Sequence, residues 1–117
     1  MGSKDFADAL AGEDEVQITV VKSGDGKRRT LPIWFVVEGT TLQLLPMYGL
    51  KTHWFRDLER IGSMEVRAKD ERRRVAPRIV RDPAVVDEVK KRFSRKYGAA
   101  DVRRYYPTAE IALEISL

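Results

Sequence analysis

Residues 29–37, RTLPIWFVV, and residues 51–58, KTHWFRDL, carry the most informative pattern in this chain. In the first stretch a basic residue enters a strand-like run that is apolar on both faces, and in the second a Lys-Thr pair opens a short helix. Helix N-termini attract anions, because the first N–H groups of a helix have no partner within it. A small barrel that brings the two stretches together would therefore hold a phosphate.

Length and composition predict one domain over residues 1–117, with an N-terminal helix or a partly disordered arm at 1–14. The chain of 117 residues is 43% hydrophobic and 34% charged, which is typical of a globular protein. It has no cysteine, which excludes disulfides and thiolate chemistry. It also has no signal peptide and no apolar run near the roughly 20 residues of a membrane span. We therefore expect a cytoplasmic protein.

The charge is distributed unevenly along the chain. The segment 67–104 has fourteen Lys or Arg residues and six Asp or Glu residues, whereas residues 1–20 have five acids and one lysine. Such a basic segment is compatible with nucleic-acid binding. The favoured interpretation is a solvated basic face that attracts small anions, because the segment contains no recognised nucleic-acid-binding motif.

The N-terminal half predicts a meander of three antiparallel strands. Residues 15–22 alternate between apolar and polar, and the turn SGDGK at 23–27 joins them to a second strand at 29–38. Pro32 near the start of that strand requires an edge or a bulge. A third strand follows at 41–46.

Two helices carry recognisable end signals. The first is predicted at 53–60, with Thr52 able to cap its start and Gly62 ending it. The second begins at Asp82-Pro83, an N-cap acid followed by proline, and stops at Gly98.

Three further strands complete the prediction. A strand at 64–69 leads through a turn at 70–73 into a fifth strand around Val75 and Ile79. The segment 99–107 is a turn or a short helix, and 108–117 is the last strand. Six mostly antiparallel strands with two or three helices indicate an α+β barrel or sandwich.

Three groups of residues resemble the flavin and deazaflavin oxidoreductase superfamily, the split β-barrels related to pyridoxamine-phosphate oxidase. They are residues 29–36, residues 51–58 and the tail segments RDP at 81–83, 93–98 and YYP at 105–107. The chain is most similar to small uncharacterised members near the deazaflavin-dependent nitroreductases. This resemblance covers residues 15–117 and implies a six-stranded antiparallel split β-barrel.

The resemblance further implies a homodimer with FMN or a deazaflavin in a groove between the subunits. Arg29, Lys51 and Thr52 match the residues at the phosphate end of that groove. The backbone of Trp34 and Leu45 would border the ring, with Trp54 packed behind it. The implied cofactor-binding residues are Arg29, Thr30, Trp34, Leu45, Lys51, Thr52 and Trp54.

Two positions depart from the superfamily pattern. Asp57 stands where asparagine is common, which places a negative charge near the expected phosphate site. Residues 61–63, IGS, replace the usual Asn-Pro-x after the helix.

Each candidate residue also has a simpler structural interpretation. Lys51 and Thr52 could be a solvated lysine beside an ordinary N-cap, and Arg29 the charged end of a hairpin. The tryptophans could be core residues, and His53 a surface residue rather than a proton donor. Three tyrosines could line the mouth of a pocket, namely Tyr48, Tyr105 and Tyr106. The arginine run Arg72-Arg73-Arg74 could form a solvated turn.

The sequence therefore supports three functional hypotheses. The first is an oxidoreductase that uses FMN or a deazaflavin on a small organic substrate, with the cofactor carrying the hydride chemistry. The second is a split barrel that binds a ligand or a partner without catalysis. The third, least favoured, is a nucleic-acid binder. No catalytic triad, paired-carboxylate site or metal-binding motif is evident in the sequence, so the catalytic residues are unknown.

Overall fold

The computed structural model describes residues 3–22, 24–107 and 109–117. Within these ranges the chain forms eight strands, four α-helices and one short 3-10 helix. In chain order they are α1 (Ser3–Leu10), β1 (Val16–Val21), β2 (Arg28–Ile33), β3 (Val36–Glu38), β4 (Thr41–Leu44), the 3-10 helix (Gly49–Lys51), α2 (His53–Ile61), β5 (Met64–Ala68), β6 (Glu71–Val75), β7 (Arg78–Val80), α3 (Pro83–Tyr97), α4 (Ala99–Tyr105) and β8 (Ala112–Ser116).

The strands form two antiparallel sheets of four. One sheet has the order β2-β1-β5-β6, and the other has the order β3-β4-β8-β7. The chain passes from the first sheet to the second at two corners, between β2 and β3 and between β6 and β7. Each corner joins an edge strand of one sheet to an edge strand of the other, which gives a split-barrel architecture.

Both corners correct the sequence prediction, which treated each pair as one continuous strand. At the first corner, the backbone N–H and C=O of Phe35 bond to side chains of α3 instead of to a neighbouring strand. At the second corner, Pro77 has no N–H to donate to a ladder. The predicted six strands of the split barrel are therefore eight, arranged in two sheets of four.

Two further predictions of the strand region are corrected in part. Both antiparallel pairings of the expected three-stranded meander are present, but β1 and β2 pair in one sheet while β3 and β4 pair in the other. The expected turn at 70–73 is shorter, since β6 already begins at Glu71. Lys69 adopts the left-handed conformation, φ 55°, that makes this tighter turn possible. The predicted hairpin turn and last strand include Ser23 and Thr108, which lie outside the described residues.

The helices agree closely with the sequence. Asp82 caps α3, and its side chain accepts a hydrogen bond from the N–H of Ala84 at 3.0 Å. Gly62 ends α2 in the left-handed conformation, φ 91°. Thr52 occupies the N-cap position of α2, but its side chain makes no capping hydrogen bond. The segment after Gly98 forms a short helix, α4.

The buried side chains form two clusters. The larger lies between the sheets and is closed by α1 and α2; it includes Phe6, Phe35 and Phe55. The smaller lies under α3 and α4 and includes Phe93 and Tyr106. Phe6 is fully buried, so α1 is an integral part of the packing.

No helix in the described part of the chain is both long enough and apolar enough to cross a membrane.

Replacing Gly62 with alanine is expected to lower the free energy of unfolding by about 1 kcal/mol, because a side chain disfavours the left-handed backbone conformation. Urea denaturation followed by circular dichroism measures this loss. Gly24→Ala is the control, since Gly24 has no positive φ and nothing lies within 4 Å of the position a Cβ would take. Equal losses in the two variants would contradict the role of the α2 cap.

Candidate functional site

A cleft of about 510 Å³ opens beside the edge strand β2. Its walls come from β2, the corner after it, the 3-10 helix with the start of α2, and α4. The residues that line it are Glu15, Arg29, Leu31, Pro32, Ile33, Trp34, Leu45, Met47, Tyr48, Lys51, Thr52, His53, Trp54, Tyr105 and Tyr106.

Strand β2 sets the length of the cleft. Arg29, Leu31 and Ile33 share one face of the strand, because alternate residues of a strand point to the same side. Arg29 and Ile33 are four residues apart, which corresponds to about 13 Å along a strand. The wall therefore runs from a guanidinium to an apolar and aromatic region.

The start of α2 and the residue before it supply a second group of polar side chains. Lys51 ends the 3-10 helix and is exposed, whereas Thr52 at the N-cap is 4% exposed. The Oγ1 of Thr52 accepts the N–H of Tyr48 at 2.8 Å, which explains why it does not cap α2. The first N–H groups of α2 therefore have no side-chain cap, and its positive dipole end faces the cleft.

The opposite region of the cleft is aromatic. Trp34 lies edge-on to Tyr105, with ring centroids 5.6 Å apart, and 6.0 Å from Tyr106. Tyr106 is buried, and this burial raises the pKa of its hydroxyl. Tyr105 and Tyr48 are exposed, with Tyr48 64% accessible. Such a region accepts a planar apolar ring.

Tyr97 fixes the corner that carries Trp34. Its ring stacks on Trp34 at 4.0 Å with an interplanar angle of 7°. Its hydroxyl accepts the N–H of Phe35 at 3.0 Å and lies within donating distance of two carbonyls, Asp14 at 2.7 Å and Phe35 at 3.0 Å. Burial is the main cause that raises the pKa of Tyr97 to about 12.

Lys96 reinforces the same corner. Its Nζ donates to the carbonyl of Phe35 at 3.1 Å and lies 3.4 Å from the centroid of the Phe35 ring. Desolvation lowers the pKa of Lys96, and the charge of Asp14 opposes this shift. The corner is therefore held from one side by two neighbouring residues of α3.

Six of the seven residues implied to bind a cofactor line this one cleft. The seventh, Thr30, lies on the other face of β2, where its hydroxyl bonds to that of Thr19 at 2.8 Å. Trp54 is nearly buried and belongs to the main core as well as to the cleft wall. The three tyrosines considered for a pocket mouth, Tyr48, Tyr105 and Tyr106, also line the cleft.

The negative charge expected near the phosphate end does not line the cleft itself but lies in an adjoining hollow. Asp57 is 6% exposed and does not line the cleft; it borders a neighbouring hollow. His53, the first residue of α2, is exposed and lines both the cleft and that hollow. Within the described residues, no group of three His, Asp or Glu side chains could hold a metal ion.

Sequence reasoning missed five lining residues, namely Glu15, Leu31, Pro32, Ile33 and Met47. The alternation along β2 could have found Leu31 and Ile33, because they share a face with Arg29. No local signal indicates Met47 or the bonds of the Tyr97 hydroxyl, since both depend on how the two sheets meet.

A comparison with known protein families shows to which family the chain belongs. A family model described as "Uncharacterized protein conserved in bacteria (DUF2255)" matches residues 7–112. The chain belongs to this family. None of the curated proteins matches it.

Several solved structures share the fold of this DUF2255 protein. One is an F420-H2-dependent reductase, with 16% identity and a TM-score of 0.67 over 89% of this chain and 95% of that one. A pyridoxamine 5'-phosphate oxidase candidate from Listeria innocua has 13% identity and a TM-score of 0.67, covering 97% and 90%. The heme storage protein HutZ from Vibrio cholerae has 13% identity and a TM-score of 0.72, covering 97% and 87%.

These structures confirm the resemblance at the level of the fold. The sequence resembles deazaflavin-type and pyridoxamine-phosphate-oxidase-type proteins, and both types are among the solved structures that share this fold. A fold of this kind hosts different ligands, so the function of this DUF2255 protein has to be argued from its own cleft.

Replacing Tyr97 with phenylalanine is expected to cost about 1–3 kcal/mol of unfolding free energy at pH 8, because the N–H of Phe35 loses its acceptor. Urea denaturation followed by tryptophan fluorescence measures the loss. Tyr48→Phe is the matched control, since Tyr48 is exposed and its hydroxyl makes no hydrogen bond among the described residues. A loss in the control as large as that in Tyr97→Phe would contradict this role.

The stability difference between wild type and Tyr97→Phe is also expected to depend on pH. The pKa of Tyr97 is raised to about 12 in the folded state, whereas an unfolded tyrosine titrates near 10. The unfolded chain therefore loses this proton first, so the stabilisation is complete below about pH 10 and disappears as the pH rises through 12. The stability difference between wild type and Tyr97→Phe should narrow between about pH 10 and pH 12; a constant difference over this range would contradict the prediction.

Proposed function

We propose that this protein binds FMN or a deazaflavin in the cleft beside β2 and acts as an oxidoreductase on a small organic substrate. Arg29, Lys51 and Thr52 hold the phosphate end of the cofactor. The ring lies along the backbone of Trp34 and Leu45, with Trp54 behind it.

One observation carries this proposal: a single cleft joins an anion-binding region to an aromatic region. Lys51 provides an exposed ammonium group, Arg29 a guanidinium, and the uncapped start of α2 provides amide donors. These are the groups that bind a phosphate dianion. The apolar side chains along β2 and at the corner suit the ring of a flavin-like molecule.

The residues of the cleft suit the chemistry of such a cofactor. When bound, a flavin or deazaflavin supplies the hydride transfer. The chain itself binds and orients the ring, and Trp34, Tyr105 and Tyr106 exclude water from it. No side chain is assigned as a catalytic acid or base.

The open side of the cleft favours a homodimer. Tyr48, Leu50 and Tyr105 are large apolar residues that are 64%, 43% and 38% exposed. Tyr48 and Tyr105 line the cleft, and Leu50 lies in the 3-10 helix between Tyr48 and Lys51. A second copy of the chain would cover them and complete the cofactor groove.

A ligand-binding protein without catalysis is the second candidate. HutZ, which is described as a heme storage protein, has the same fold and about the same length. A cleft with a cationic and an aromatic region could store or carry an anionic aromatic molecule without turning it over. Turnover of a bound cofactor distinguishes the two candidates.

Nucleic-acid binding receives less support from the arrangement of charges. The basic residues of 67–104 are divided among β5, β6, β7, α3 and α4, and several are paired with acids of the chain. Arg78 pairs with Glu114, Arg81 with Glu59, and Arg92 with Glu38.

Lys51→Ala is expected to weaken FMN or deazaflavin binding about tenfold, because a charge-assisted bond to the phosphate is lost. Titration of the purified protein with quenching of cofactor fluorescence measures the affinity. Lys91→Ala removes an equal charge from an exposed position on α3 and should leave the affinity unchanged. No binding by wild type, or equal affinities for wild type and Lys51→Ala, would overturn the proposed phosphate site.

Bound cofactor should also be redox-active if the protein is an enzyme. The cofactor-loaded protein, reduced anaerobically, should be reoxidised by a panel of small nitro or quinone acceptors faster than the same cofactor free in solution. Reoxidation at the rate of free cofactor would favour the storage function instead. The absorbance of the oxidised cofactor follows the reaction.

A further inference from the structure

A second hollow, of about 460 Å³, adjoins the cleft at its cationic side. Arg29 and His53 line both, so the two form one continuous surface. The remaining side chains of the hollow come from the residue after β1 and from α2: Lys22, Arg56, Asp57 and Arg60. We call it the α2 hollow.

The α2 hollow carries more positive charge than the chain compensates. Four cations line it with a single carboxylate, that of the buried Asp57. Lys22 pairs with Asp25 at 3.5 Å, and Arg60 donates to the carbonyl of Lys22 at 3.4 Å. The guanidinium groups of Arg29 and Arg56 make no hydrogen bond or ion pair with any residue in the described ranges.

Two nearby electrostatic features disfavour a positive charge at Arg56 in the free protein. It lies in the N-terminal half of α2, whose first turn contains no acid, and helix dipoles favour negative charge there. It is also four residues before Arg60, and like charges at this spacing repel on a helix surface. Packing does not require a guanidinium at this position, because Arg56 is exposed. An anionic ligand would remove both penalties.

We propose that the α2 hollow binds a second anionic group of the ligand that occupies the cleft. This inference rests on the proposed function for the identity of that ligand, and it narrows the ligand class. The ligand carries at least two anionic groups, phosphate or carboxylate, one between Lys51 and Arg29 and the next between Arg29 and Arg56. A molecule with one phosphate fills the first position alone.

Arg29 is central to this arrangement because it faces both compartments. Its five donors form a planar fork that can bond to two oxyanions at once, which a lysine cannot do with the same geometry. Arg56 then extends the row of cations along α2.

Inorganic tripolyphosphate and inorganic phosphate are the probes, used on the full chain without cofactor. Isothermal titration of wild type should give an affinity for tripolyphosphate at least tenfold higher than that for phosphate. Arg56→Gln should weaken tripolyphosphate binding about fivefold to tenfold, while phosphate binding changes less than twofold. Arg95→Gln, an exposed arginine of α3 that lines neither the cleft nor the α2 hollow, is the matched control.

The outcomes separate this inference from the proposed function. Equal tripolyphosphate affinities for wild type and Arg56→Gln, or equal losses in Arg56→Gln and Arg95→Gln, overturn the second anion position even if FMN binds. If FMN and the deazaflavin both fail to bind, but tripolyphosphate binding depends on Arg56, the proposed function falls and the second anion position stands. FMN, with its single phosphate, should bind Arg56→Gln within twofold of its affinity for wild type.

Discussion

The structure depends on how the chain turns from one sheet to the other at Trp34 and Phe35. At this corner the backbone of Phe35 leaves the ladder of β2, and its polar groups are satisfied by α3 instead. The hydroxyl of Tyr97 accepts the N–H at 3.0 Å, and the ammonium of Lys96 donates to the carbonyl at 3.1 Å. Buried backbone groups left without partners would be costly, so these bonds make the corner possible. The same hydroxyl reaches the carbonyl of Asp14, which ties the segment before β1 to α3.

The corner also builds the cleft. Because Tyr97 stacks on Trp34 at 4.0 Å, the indole is held against α3 and helps to form the aromatic wall together with α4. The edge strand β2 then presents Arg29, Leu31 and Ile33 along the same wall. The neighbouring start of α2 completes the wall of the cleft. Thr52 bonds to the backbone of Tyr48 instead of capping α2, so the first N–H groups of this helix have no side-chain cap. A scaffold interaction and a binding surface therefore share the same residues.

The distribution of charge around α2 indicates a cost that the fold alone does not explain. Lys51 lies just before α2 and Arg56 lies in its N-terminal half, where carboxylates would be more stable. Arg29 lines both the cleft and the adjoining hollow. Proteins often place unfavourable charges where a ligand later compensates them. Split barrels of this shape occur in a reductase and in a heme storage protein, so the shape leaves the ligand open. The charges of this cleft and its neighbouring hollow are what point to an anionic one.

The sequence by itself determined the elements and most of the candidate site. End signals gave α3 and the end of α2, because Asp82, Pro83 and Gly62 act through local backbone geometry. Alternation gave β1 and β5, and a resemblance on short motifs selected six residues that line one cleft.

The sequence did not reveal the breaks at Trp34-Phe35 and Ala76-Pro77, since a strand that changes sheets keeps its apolar pattern. It also did not reveal the bonds of the Tyr97 hydroxyl or the exclusion of Asp57 from the cleft. Those depend on contacts between residues far apart in the chain, such as Phe35 and Tyr97, which only the packing of the two sheets against α3 decides.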